Sequence, residues 1–133
     1  MEIKEIKIED LNTGDFIKQK TEEISSAVGE GLAVNALSGG VDSSAVTMLA
    51  HRSLGDRLKT YFVDSGLMRE AEPEYVVSVF KSAGVFVELI DARERFLEAL
   101  KGITDPEEKR GAITQTFYKD VFGKLVRDSG ARH

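Results

Sequence analysis

The sequence predicts an α/β fold, a parallel sheet with helices on both faces. Three features carry that prediction. Short apolar runs alternate with longer stretches in which apolar residues return every three or four positions. Glycines punctuate the junctions between them. The first apolar run, 32–37, is polar only at Asn35, as suits a strand covered on both faces.

The elements follow in order. From near Asp10, the residues Leu11, Phe16, Ile17, Ile24 and Val28 recur at helical spacing until Gly29 and Gly31 stop the helix. Strand 32–37 comes next, then a turn at 38–42 and a second helix carrying Ala45, Val46, Met48, Leu49 and Leu54, which ends near Gly55. The pattern repeats as strand 58–63, helix 71–83 and strand 85–90. Phe96, Leu97 and Leu100 begin a helical piece that Gly102 closes. Asp105-Pro106-Glu107-Glu108 reads as a helix start, with proline early and acids in the first turn. Ile113, Phe117, Val121, Phe122, Leu125 and Val126 form the apolar face of that same, last helix. The stretch 102–111, rich in charge and turn formers, is expected to be irregular and to serve as a mobile lid.

The 133 residues suffice for one compact domain. With 41% hydrophobic and 31% charged residues the chain is expected to be globular and soluble, not disordered. A formal net charge of -5 argues against nonspecific binding to nucleic acid or to an anionic membrane. No cysteine is present, which excludes disulfides, cysteine zinc sites and a cysteine nucleophile, and suits a cytoplasmic location. The start, Met1-Glu2-Ile3-Lys4-Glu5, alternates apolar and charged residues, unlike a signal peptide or anchor. No apolar run approaches the ~20 residues needed to span a bilayer. No His, Asp and Glu cluster has the spacing of a zinc or two-metal site.

Chemistry concentrates in Ser38-Gly39-Gly40-Val41-Asp42-Ser43-Ser44, between the first strand and its helix. In an open parallel sheet this carboxyl end is where ligands collect. Gly39 and Gly40 allow backbone angles closed to other residues and let a phosphate approach main-chain N–H groups. The hydroxyls of Ser38, Ser43 and Ser44 can donate to phosphate, and the helix dipole favours its charge. Asp42 would repel bare phosphate, so its expected role is to hold a bridging Mg²⁺. The alternative is a tight turn in which Asp42 or Ser43 caps the helix. Neither a Walker loop nor a dinucleotide fingerprint fits.

This heptapeptide resembles the signature of the N-type ATP pyrophosphatases, which cleave ATP between its α and β phosphates. Within that superfamily the chain is most similar to the synthetase domain of GMP synthase. The likeness rests on 36–44, His51-Arg52, Gly55-Asp56-Arg57-Leu58, Phe62-Val63-Asp64, Gly66-Leu67-Met68-Arg69, Asp91-Ala92, Glu94-Arg95-Phe96-Leu97, Ala99-Leu100 and the block 104–110.

The resemblance implies an adenine nucleotide alpha hydrolase-like fold, three layers deep. It implies ATP and Mg²⁺ as ligands, with Ser38, Gly39, Gly40, Val41, Asp42, Ser43 and Ser44 around the phosphates. Adenine would meet main-chain groups near Phe62 and Val63. Asp64 would stand at the mouth of the site, unless it forms only a strand-end turn with Gly66. Arg69 matches an arginine near the nucleotide, and Lys109 and Arg110 match a lid whose basic groups stabilise departing pyrophosphate. The implied reaction adenylates XMP before amination to GMP, with ammonia free or delivered by a separate glutaminase polypeptide.

The family continues past Gly130-Ala131-Arg132-His133 into another strand and a dimerisation and XMP-binding domain. The resemblance therefore implies one ATP-pyrophosphatase-like unit over 1–133, incomplete at its C-terminus. In the usual strand order, strand 32–37 would be left as an exposed edge, so a fragment or a homo-oligomer is expected. Two other readings remain open. One is another N-type ATP pyrophosphatase, of the NAD synthetase or tRNA-modifying type; the other is a non-catalytic nucleotide-binding or regulatory subunit.

Overall fold

A computed structural model describes residues 7–133; the reading of residues 1–5 as neither leader nor anchor lies outside them. Helix α1, Thr13–Val28, starts where Asn12 Oδ1 accepts from the Asp15 N–H at 3.1 Å and stops at Gly29, φ 60°. The residues just before it form a short 3₁₀ turn, Ile8–Asp10, so the α-helix begins later than the apolar pattern alone implied. Helix α1 buries no residue fully and packs on α2, Val41–Leu54, where Ser53 Oγ donates to Thr21 O at 2.6 Å.

The strands β1 (Ala33–Leu37), β2 (Leu58–Asp64) and β3 (Val87–Asp91) are parallel, in the order β1-β2-β3. Leu37 stands opposite Phe62, and Asp64 opposite Asp91. Because side chains alternate along a strand, β2 feeds two cores. On one face Phe62 joins Leu37, Val85 and Val87 under Val76 and Phe80 of α3, Glu72–Ser82. On the other, Val63 meets Ala92, Phe96 of α4 (Arg93–Leu100) and Val121. The expected three-layer α/β arrangement is present. As expected, among the described residues β1 pairs with β2 on one side and with no strand on the other.

Strand β3 begins at Val87, two residues later than its apolar run suggests. The cause is the end of α3. Gly84, at φ 82°, donates to Lys81 O, and Val85 donates back to Phe80 O at 2.9 Å. Val85 thus closes the preceding helix and packs on Phe80, the paired hydrophobic contact of a glycine-terminated helix.

Helix α5, Pro106–Gln115, is capped by Asp105, whose carboxylate accepts from the Glu108 N–H at 2.9 Å. The stretch expected to be irregular out to Gly111 is therefore helical from Pro106. The single last helix is also interrupted. Thr116–Phe122 is π-helical, and an α-turn resumes as α6, Gly123–Ser129. Among the described residues, no helix is long and apolar enough to cross a membrane.

Candidate functional site

The loop leaves β1 at Leu37 and enters α2 at Val41, with Gly40 as an N-cap that has no side chain to offer. Capping by Asp42 or Ser43, the alternative role for these residues, is not what they do. Ser43 Oγ and Ser44 Oγ both donate to Gly40 O, at 3.2 and 2.7 Å. Ser43 Oγ also accepts from the Ser38 N–H at 3.1 Å and lies 2.8 Å from Ser38 Oγ. The three hydroxyls tie the loop to itself.

The first-turn N–H groups of Val41, Asp42 and Ser43 consequently have no acceptor among the described residues. They point out of the amino end of a 14-residue helix, where its dipole is positive. Gly39 makes the turn at φ 82°, and a Cβ there would stand 3.2 Å from Val76 Cγ2 and 3.7 Å from Phe62 Cε2. Glycine is needed at this position on both counts. Asp42 is exposed in the first turn and carries the loop's only charge.

Beside the loop lies a cavity of about 660 Å³. Ser38, Ser43 and the main chain of β1 form one wall, Val63, Ser65 and Met68 the floor, and Ile113, Phe117 and Phe122 the far side. Strand β1 ends opposite Phe62, so Val63 and Asp64 pair with β3 alone and their β1 side stays open to the cavity. A second cavity of about 660 Å³ lies between α4 and α6, walled by Glu94, Arg95, Glu98, Lys119, Lys124 and Arg127, and touches no loop residue. Its charges of both signs compensate one another, whereas the cavity at the loop is largely apolar with hydroxyls and open main chain at one end.

The other anticipated residues are distributed as follows. Phe62 is fully buried, with its side chain in the core and its main chain in the ladder on both sides. Asp64 Oδ1 accepts from the Gly66 N–H at 2.8 Å, and Oδ2 stands 3.8 Å from Arg93 Nε. That carboxylate makes the strand-end turn. Arg69 is exposed; its backbone N–H donates to Glu72 Oε2 at 3.1 Å and so helps start α3. Lys109 and Arg110 are exposed on α5, and Arg110 pairs with Glu107 at 2.7 Å. Neither lines the cavity, yet each lies four residues before one that does, Ile113 and Thr114. Residues four apart share a helix face, so both basic residues stand one turn beyond the cavity rim.

Sequence reasoning missed the far wall and Ser65. Phe117, Tyr118 and Phe122 read only as an apolar helix face, and their aim depends on the π-turn. Asn35 was visible as the one polar residue of its run, without an assigned role.

A family model described as asparagine synthase matches residues 33–129, from the start of β1 to the end of α6. The chain belongs to the asparagine synthase family. It is 48% identical over 119 residues to a subunit of the glutamine-hydrolyzing GMP synthase of Pyrococcus furiosus, covering 89% of this chain and 38% of that protein. With the corresponding GMP synthase subunit of Methanothermobacter thermautotrophicus it shares 50% over 123 residues, 92% of this chain and 39% of that one. The chain thus spans well under half the length of these relatives. The NH3-dependent NAD synthetase of Campylobacter jejuni superposes with a TM-score of 0.71 at 15% identity, over 88% of this chain and 53% of that one. The glutamine-dependent NAD+ synthetase of Acinetobacter baumannii gives 0.70 at 15% identity, over 97% and 26%. At that identity the likeness is one of fold.

Proposed function

We propose that this chain forms the ATP-binding part of a GMP-synthase-like ligase, which adenylates XMP with release of pyrophosphate before amination to GMP. The carrying observation is the meeting of unpaired first-turn N–H groups at Val41, Asp42 and Ser43 with a largely apolar cavity at the sheet's carboxyl end. In this reading the β and γ phosphates lie on those amides, and Gly39 and Gly40 leave room for their approach. Adenine enters the cavity against the open main chain of Val63, next to Phe62. The GMP synthase relatives support XMP as acceptor, and their glutamine-hydrolyzing name supports a separate source of ammonia.

Among the described residues no group of three His, Asp or Glu side chains could hold a metal ion unaided. A lone exposed carboxylate fits Mg²⁺ all the same, because that ion takes one or two carboxylates and completes its shell with substrate phosphates and water. Asp42 would hold it, and the ion would neutralise phosphate charge. Lys109 and Arg110, one turn beyond the rim, would fold their charges over the leaving pyrophosphate. Arg69 and Asp64, each next in sequence to a residue that lines the cavity, would stand at the edge of the same site.

A binding module without turnover is the second reading, favoured by one observation: Arg110 is already paired with Glu107 and does not line the cavity. One assay separates the two. The chain is incubated with ATP, Mg²⁺, XMP and ammonia while AMP, pyrophosphate and GMP are followed. Equimolar AMP and GMP are expected for the ligase. ATP binding that Asp42→Ala abolishes, without product, assigns the binding module. A chain that binds no ATP overturns both.

A further inference from the structure

Asn35 belongs to no part of the motif, yet it sits in a continuous chain of hydrogen bonds that ends on the loop. Thr60 Oγ1 on β2 donates to Asn35 Oδ1 at 2.7 Å. Asn35 Nδ2 on β1 donates to Thr47 Oγ1 on α2, also at 2.7 Å. Thr47 Oγ1 then donates to the Ser43 carbonyl at 2.7 Å. Thr47 is fully buried and Thr60 nearly so, at 0% and 3% exposed. The Thr47 proton goes to the Ser43 carbonyl, so its oxygen is left to accept from Asn35, which fixes the amide with Nδ2 toward Thr47 and Oδ1 toward Thr60. Among the described residues no buried side-chain polar atom is left without a partner.

Ser43 is where this chain meets the phosphate loop. Its hydroxyl joins Ser38 to Gly40 across the turn, while its carbonyl is held from below through Thr47. The amide of Ser43 is one of the three unpaired donors. Ser43 is therefore fixed from two sides, and the lower anchor reaches into the sheet through Asn35.

We propose that Asn35 is a positioning residue, which by way of Thr47 fixes the first turn of α2, and so the unpaired amides, in register with the end of the sheet. Its side-chain hydrogen bonds go to Thr47 and Thr60. The proposal deepens the phosphate-site reading and rests on it for its effect on affinity. An apolar side chain at position 35 would complete the strand equally well but would leave Thr47 without its link to the sheet.

Asn35→Val alone strands the Thr60 hydroxyl in the core, so a loss of stability by itself would say little. The informative variant is Asn35→Val with Thr60→Val, which removes donor and acceptor together and so recovers most of the lost Tm. Hydrogen exchange of the amides at 44–47 is measured in the free protein, and ATP and adenosine affinities are measured by calorimetry in the presence of Mg²⁺. In the double variant, exchange at 44–47 is expected to rise and ATP affinity to fall, each about three- to tenfold, with adenosine affinity unchanged. Ser53→Ala serves as the control, because it removes a hydrogen bond at the far end of the same helix. It should lower Tm and leave both loop measurements alone.

Wild-type exchange and ATP affinity in the double variant would overturn the proposal, as would equal losses in Ser53→Ala. If the wild-type chain binds no ATP, the phosphate-site reading fails by itself. The exchange comparison then still decides whether Asn35 anchors the loop: faster exchange upholds the anchor, and unchanged exchange overturns it.

Discussion

Arg93 ties together the ends of two strands beside the loop. Its Nε and Nη2 donate to the two oxygens of Asp91 at 2.8 and 2.5 Å, and Nε stands 3.8 Å from Asp64 Oδ2. Hydrogen bonds from the Arg93 side chain and then its backbone N–H hold the Asp91 carboxyl at about 2, below its ordinary 3.8. A lowered folded-state value means that the folded protein favours the carboxylate. The pair's contribution is therefore fully present above about pH 4 and is lost as pH falls through about 2. Both groups are exposed, so the effect is small and sensitive to salt. Asp91→Asn is expected to lower Tm modestly at pH 7, with the gap to wild type closing toward pH 2. Melting curves across pH 2–7 check this, and a gap independent of pH would refute it. At this scale the sequence was informative about the loop, because two glycines, three hydroxyls and an acid within seven residues need no tertiary context to be noticed. It was uninformative about Asp64. Whether that carboxylate faces a ligand or its own turn depends on Gly66 and Arg93, and only the fold brings Arg93 near.

Among the elements, the segment that departs most from its sequence pattern is the last helix. Its apolar residues fit one continuous α-helix, but Gly123 donates to Tyr118 O, five residues back, which is a π-helical bond. A Cβ on Gly123 would stand 2.6 Å from that same oxygen, so glycine is what lets the wide turn close. The widened turn stacks Phe117 on Phe122, five residues apart, at 5.8 Å with planes 15° from parallel. In an α-helix these rings would diverge; here both line the cavity. The periodicity revealed the existence and burial of this helix, since 3.6 and a slightly wider repeat differ little over two turns. It concealed where Phe117 and Phe122 point. Gly123 was the one local signal, a glycine inside an apolar pattern. The same logic gives a sign reversal. Glycine to alanine inside an ordinary helix stabilises by about 1 kcal/mol. Gly123→Ala is expected instead to destabilise by about 1–3 kcal/mol, through the clash with Tyr118 O and the disturbed ring pair. Urea denaturation measures the difference, and a stabilised variant would show that the turn does not depend on glycine.

For the whole molecule, the α/β class and its parallel sheet followed from alternation of elements, whereas the three layers and the strand order were expected from the resemblance and the usual order of such folds. The far wall of the cavity followed from neither, since only packing brings Phe117 to the cavity that Ser38 also lines. The strand order also has a physical consequence. Strand β2 is buried from Thr60 to Val63, as a central strand is, while β1 has one strand neighbour among the described residues and intermediate exposure from Val34 to Ala36. On the open side of β1 the Val34 N–H donates to His133 O at 2.9 Å. Ala36, two residues on, faces the same edge, as alternation along a strand requires. Its backbone groups have no partner there among the described residues, and charge, proline or a bulge, the usual protections of an edge, are missing from Ala33–Leu37. Such an edge is a template for another strand. The isolated 133-residue chain is therefore expected to self-associate in sedimentation velocity, increasingly so with concentration. Ala36→Pro, which removes the outward donor while leaving the groups that face β2, should weaken that association. A folded monomer at every concentration, with Ala36→Pro indistinguishable from it, would mean that the pairing at His133 already suffices to close the edge.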